Sequence, residues 1–134
     1  MNVIVCVDNE LGMMFNNRRQ SRDIKACEDM LRLSGGNLVI APYSAKLFAE
    51  LEGYRISDDP LGTADVGEYV LIEDRGLLGH VDKIEKIVLY HWNRDYPSDK
   101  KLDTPPTQHG FHLVDSYEFE GKSHEKITRE IYER

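Results

Sequence analysis

Four stretches of the chain are continuously apolar: Val3-Ile4-Val5-Cys6-Val7, Leu38-Val39-Ile40-Ala41, Tyr69-Val70-Leu71-Ile72 and Ile87-Val88-Leu89-Tyr90. Each is short, rich in β-branched residues and without polar alternation, which predicts strands buried on both faces. Between the first two, Asn9, Glu10 and Gly12 break the run, and 13–20 has no period and predicts a long loop. Ser21 then stands where a helix cap is expected, with Asp23 in the first turn, and Ile24, Cys27, Met30 and Leu31 recur at helical spacing up to Gly35-Gly36. Pro42 and Ser44 open a short helix predicted over 45–51, with Leu47, Phe48 and Leu51 on one side. Tyr54-Arg55-Ile56 is a weak strand, 58–67 a loop, and 77–81 a short helical or irregular piece. From Asn93 to Gly110 the chain is polar and proline-bearing and predicts another long loop.

The end of the chain is ambiguous. Phe111 to Phe119 suits a strand. Over 123–132, propensity favours a helix capped by Ser123, with Ile127 and Ile131 one turn apart. The alternation of Ile127, Arg129 and Ile131 against Thr128, Glu130 and Tyr132 suits a strand instead. Buried strands separated by short helices make a largely parallel sheet with flanking helices the default architecture, in one domain spanning 1–134.

Composition narrows the partners. The chain has 134 residues, 40% of them hydrophobic and 31% charged, enough for one core and its surface. The net charge of -7 and pI near 5.2 make nucleic-acid binding an unexpected role, because phosphate attraction needs a positive face. A basic protein partner, or a small anion in a local positive pocket, is compatible with it. Cys6 and Cys27 sit in apolar patterns without CxxC or Cys/His spacing, which predicts buried thiols and no disulfide or zinc site. With no signal-peptide pattern and no apolar run of membrane-spanning length, a cytoplasmic location is expected.

The order of these elements resembles dihydrofolate reductase over most of the chain. Asn9-Glu10-Leu11-Gly12-Met13 is similar to that family's mobile active-site loop, and Ser21-Arg22-Asp23-Ile24 to the place where it puts its substrate-site acid. Leu38 to Ser44 resembles the second strand and first cofactor-contacting turn. The closest stretch runs from Glu68 through Glu73-Asp74-Arg75-Gly76-Leu77 to Lys86-His91. The resemblance implies a reductase-like α/β fold with a mostly parallel sheet and a closing antiparallel hairpin over 111–132, which tips the ambiguous segment towards strand. The departures imply lost chemistry. Glu73 and Asp74 stand where the family uses glycines to approach a dinucleotide, and Pro42-Tyr43 where it uses a phosphate-binding Gly-Arg pair. The family's adenosine-binding strand and helix are missing between Ser44 and Tyr69. Neither NADPH nor any other cofactor is therefore expected, and hydride transfer is not either.

Two clusters carry candidate chemistry. In 16–23, Arg18, Arg19 and Arg22 beside a helix start suit a carboxylate or phosphate, with Gln20 alongside. By the resemblance, Asp23 holds the substrate position, where a carboxylate suits a protonated heterocycle. The alternative for Asp23 is a first-turn acid, and for the arginines a solvated loop. In 90–96, at the end of a central strand, His91, Asn93, Arg94 and Tyr96 are candidate ligand contacts, with His91 a possible acid or base and hydrogen bonding alone as the plainer role. His124 is the third candidate for catalysis after His91 and Asp23. His109 and His112 have a spacing that invites a metal, but no helix aligns them, so no metal site is expected. Serine-nucleophile and P-loop motifs are absent.

Three functions follow as expectations. The first is a non-redox binding or regulatory protein for a small anionic or heterocyclic ligand. The second is an acidic immunity- or antitoxin-like protein that binds a basic partner. The third is a metal-independent, ribonuclease-like phosphodiester hydrolase using histidine and arginine.

Overall fold

A computed structural model describes all of residues 1–134. The continuous apolar runs form parallel strands. β1 (Asn2–Val7) is flanked by β6 (Tyr69–Leu71) and β7 (Lys86–His91), and β4 (Leu38–Ile40) lies between β6 and β5 (Tyr54–Ile56). The chain ends in two antiparallel strands, β9 (His112–Phe119) and β10 (Ile127–Glu133), and β10 pairs with β7. The order is β5-β4-β6-β1-β7-β10-β9, a seven-stranded, mostly parallel sheet.

Residues alternate between two apolar layers. Ile4, Val88, Tyr90, Trp92, Ile127 and Ile131 face one side, where α1 (Ile24–Ser34) and a 3-10 helix (Pro42–Phe48) contribute Ala26, Cys27, Met30 and Phe48. Val3, Val5, Val7, Ile87 and Leu89 face the other, covered by Leu61 of a one-turn helix and by loop residues such as Leu77, Leu102 and Phe111. Helix cover is thus concentrated on one face. No helix is long and apolar enough to cross a membrane.

The ambiguous 123–132 segment contains strand, because β10 is claimed on both edges. Ile127 and Ile131 are buried beside α1, while Glu130 and Tyr132 point to the opposite layer. Pairing with β7 and β9 outweighs local helix propensity.

Several expected loops carry structure. The 13–20 segment is a hairpin, β2 (Gly12–Phe15) and β3 (Arg18–Arg19), turning at Asn16-Asn17 with φ of 54° and 61°. Asparagine tolerates the left-handed region, so the two-residue Asn-Asn turn was the available signal. The 93–110 loop contributes β8 (Lys100–Lys101), which pairs with β2. The 58–67 loop contains a short helix, α2 (Pro60–Thr63). The helix expected over 45–51 is a 3-10 helix starting at Pro42. The cap of α1 is Asp23, not Ser21: its backbone is extended (φ -156°, ψ 125°) and its carboxylate accepts from Lys25 N–H.

Candidate functional site

The site forms where the start of α1 meets the connection between β9 and β10. The Asp23 carboxylate is enclosed by that connection. Oδ1 accepts from the backbone N–H groups of Lys25 (2.9 Å) and Lys122 (3.0 Å). Oδ2 accepts from Ser123 N–H (2.9 Å), the Ser123 hydroxyl (3.2 Å) and His124 Nδ1 (3.0 Å). The side chains of Asp23 and His124 are 0% and 2% exposed. Burial alone would raise the Asp23 pKa, but hydrogen bonds from Lys122, His124, Ser123 and Lys25 outweigh it and hold the carboxyl well below the usual range. Gly121 makes the approach possible, since a Cβ there would lie 2.6 Å from Asp23 Oδ2 and 2.8 Å from the His124 carbonyl oxygen.

The His124 ring stacks on Trp92, with centroids 4.6 Å apart and planes 21° from parallel. An ionised carboxylate only accepts, so Nδ1 carries a proton towards Asp23, and in the neutral ring Nε2 presents its lone pair. Ser21 Oγ lies 2.9 Å from Nε2, and Tyr96 OH lies 3.1 Å from Nε2 and 3.3 Å from Ser21 Oγ. Ser21, His124 and Asp23 are therefore connected in series from a partly exposed hydroxyl to a buried carboxylate.

Beside this network open two adjoining cavities that share Arg22 and Ser123. One, about 570 Å³, lies between α1 and the Pro42–Phe48 helix, with Ile24, Cys27 and Leu47 on its wall and Lys46 and Lys122 at its edge. The other, about 780 Å³ and more open, is lined by Asn17, Arg18, Arg19, Ser21 and Tyr43. Arg18, Arg22, Lys46 and Lys122 take part in no ion pair of the chain. Arg22, Lys46 and Lys122 thus line the first cavity together with Glu50, and Arg18 and Arg22 line the second, an excess of cations at these cavities in a protein whose net charge is -7.

The other candidates fall on and off this cleft. Arg19 is committed: its Nε and Nη2 donate to Glu73 (2.8 and 3.0 Å), and its guanidinium lies 4.4 Å from the Tyr43 ring centroid. Gln20 donates to Asp8 and to the Pro97 carbonyl. Asp8 also accepts from Gly12, Glu10 and Tyr96 N–H groups, so Gln20 belongs to a loop clamp. Tyr96 joins the network through its hydroxyl. Asn93 donates to the Lys126 carbonyl and Thr128, and Arg94 to the Ser123 carbonyl, so both brace the hairpin connection from behind.

His91 is not part of the site. It follows Ile87 and Leu89 on the sheet face away from α1, where Nε2 meets Glu130 at 2.5 Å. Strand alternation places it opposite Trp92, so its position at the end of β7 does not bring it to the cleft. Asp23 is in place but closed, as both its oxygens are occupied by chain donors. Burial pushes the Cys27 thiol up to about 12, and that of Cys6 well above its ordinary value, which makes both poor nucleophiles. No group of three or more His, Cys, Asp or Glu side chains is arranged to hold a metal ion.

Ser21 and Trp92 fall inside the two candidate clusters of the sequence without a site role of their own, and Ser123 has only a capping signal there. Ser21 carried only a capping signal, and no sequence motif links it to His124, 103 residues away. No protein-family model matches the chain, and no curated protein matches it in sequence.

Proposed function

We propose that this chain is a reductase-like protein without hydride chemistry, which binds a small anionic ligand with an apolar portion in the cleft between α1 and the Pro42–Phe48 helix. The observation that carries this reading is the set of cations without ion pairs: Arg22, Lys46 and Lys122 around a cavity with an Ile24, Cys27 and Leu47 wall, and Arg18 on the adjoining cavity. The cavity's 570 Å³ is within the range of about 300–1,000 Å³ usual for small-molecule sites. Guanidinium groups suit carboxylate or phosphate because their donors match two oxygens at once.

The likeness to dihydrofolate reductase is supported by the parallel strands, the closing antiparallel pair and an acid at the start of the first helix. The same places argue against a dinucleotide. Glu73 bonds Arg19 and Ser44, Asp74 bonds Arg75, and both carboxylates would repel a pyrophosphate. Asp23 is saturated, so the ligand's grip comes from the cations at the rim and not from that carboxylate.

The test is thermal unfolding with dihydrofolate, citrate, AMP, inorganic phosphate and NADPH as probes. A ligand at a hundredfold excess over its Kd stabilises by about 2.7 kcal/mol, a shift of several degrees. At least one of the first four should produce such a shift, which Arg22→Ala and Lys122→Ala should diminish. NADPH should stabilise no more than AMP does. A Tm unchanged by every probe would remove the reading.

A further inference from the structure

We infer that Ser21, His124 and Asp23 form a nucleophilic relay that hydrolyses small carboxylic esters bearing a negative charge. The inference rests on the anion-binding reading of the same cleft and adds a reaction to it.

The geometry has the two contacts such chemistry needs. Ser21 Oγ is 2.9 Å from His124 Nε2, and His124 Nδ1 is 3.0 Å from Asp23 Oδ2. A hydroxyl becomes a nucleophile at neutral pH when an adjacent base takes its proton, and that base works when a third group fixes its tautomer. Asp23 does so here from a buried position, and Trp92 holds the ring plane. A purely structural Asp23–His124 pair would account for the buried half of the arrangement. It would not require Nε2 to face a hydroxyl on the wall of a cleft, yet Ser21 lines the cavity that also contains Arg18 and Arg22.

The reaction runs in two halves. Ser21 Oγ bonds to the ester carbonyl carbon while its proton passes to His124 Nε2. The bond from that carbon to the alcohol oxygen breaks, and the departing alkoxide takes the proton from Nε2. Water then attacks the Ser21 ester and gives a proton to Nε2. The Ser21 Oγ–carbon bond breaks, and Oγ recovers that proton. The sum is ester plus water giving acid plus alcohol. Asp23 positions the imidazole and balances its charge while it is protonated. Arg18 and Arg22 supply positive charge in the same cavity, for the substrate's anionic group and for the oxyanion. Tyr96, 3.3 Å from Ser21 Oγ, orients the hydroxyl.

The experiment treats the full chain with a fluorophosphonate and maps the adduct by mass spectrometry, alongside hydrolysis of para-nitrophenyl hemisuccinate and para-nitrophenyl acetate. The expected result is a single adduct on Ser21 and faster turnover of the hemisuccinate. Ser21→Ala removes one hydroxyl from a fold that should still unfold cooperatively, and should abolish labelling and cut hydrolysis on the order of 10³-fold or more. Arg22→Ala should raise KM for the hemisuccinate about tenfold and narrow the hemisuccinate's advantage over the acetate. Hydrolysis that survives Ser21→Ala, or an adduct elsewhere, overturns the relay. Stabilisation by the anionic probes without any Ser21 adduct overturns it too, and leaves the binding reading standing.

Discussion

Asp23 shows how one residue can meet two demands. Its extended backbone and carboxylate cap α1, and the same carboxylate gathers Lys122, Ser123 and His124 from the other end of the chain. Its pKa is depressed in the fold, so its contribution to stability is complete above the ordinary aspartate value of about 3.9 and is lost as pH falls through the lower folded value. Urea titrations of Asp23→Asn should therefore show a weaker loss of stability below about pH 4 than the wild type. Truncation is harsher. Asp23→Ala leaves His124 and three backbone N–H groups without their acceptor and should cost about 3–5 kcal/mol in the same measurement. Gly121→Ala tests the close approach: its Cβ would meet Asp23 Oδ2, the His124 carbonyl and Ile127 Cδ1 at 2.6, 2.8 and 3.0 Å. A loss of about 1–3 kcal/mol is expected there, as for other overpacked sites.

Among the elements, β10 matters most to the site. Its inward residues do two kinds of work: Ile127 and Ile131 fill the layer under α1, and Arg129 reaches Asp29 of that helix at 2.8 Å. Asp29 also accepts from the Tyr90 hydroxyl at 2.7 Å, so helix, β7 and β10 are joined by one buried polar knot. Burial, then the Asp29 charge, keep the Tyr90 hydroxyl protonated far above its ordinary range. Arg129→Ala should lower the urea-derived stability by about 3 kcal/mol, because the Asp29 charge stays buried with the Tyr90 hydroxyl and only a long contact to Arg32. Tyr90→Phe should lower it by about 1 kcal/mol. The alternation Ile127, Arg129, Ile131 was readable in the sequence, and so was the competing helical spacing. Neighbouring strands decided between them, since a strand edge left unpaired on both sides gains nothing over a helix. The β2–β3 hairpin was less legible because its strands are four and two residues long, too short to display a period. His91 lies off the cleft for a related reason: strand-end position does not give the face on which a side chain emerges, and its contact with Glu130 is the plainer of the two roles the sequence offers.

For the whole molecule, β10 lies between β7 and β9 and holds β9 to the sheet. A chain ending at Glu120 should therefore fail to fold, seen as loss of dispersed amide signals in NMR spectra, because it exposes the layer that Ile127 and Ile131 cover and also removes His124 from Asp23. Charge acts at the same scale. The cleft's cations stand against a net charge of -7, so added salt screens both the attraction of an anion to the rim and its repulsion from the rest of the surface. The short-range contacts at Arg18 and Arg22 dominate, and affinity for the best anionic probe should fall as salt rises, as titration calorimetry would show. The four apolar runs alone determined the parallel centre of the sheet, since a strand flanked by strands and covered on both faces has no place for polar residues. Composition likewise determined the excess negative charge, and the arginine-rich segment marked one wall of the cleft. Only the tertiary structure decided that Asp23 is closed, that Arg19 is spent on Glu73, and that Ser21 faces His124. Those contacts join segments 54 to 103 residues apart, and nothing in local spacing encodes which distant donors the fold brings within 3 Å of a given acceptor.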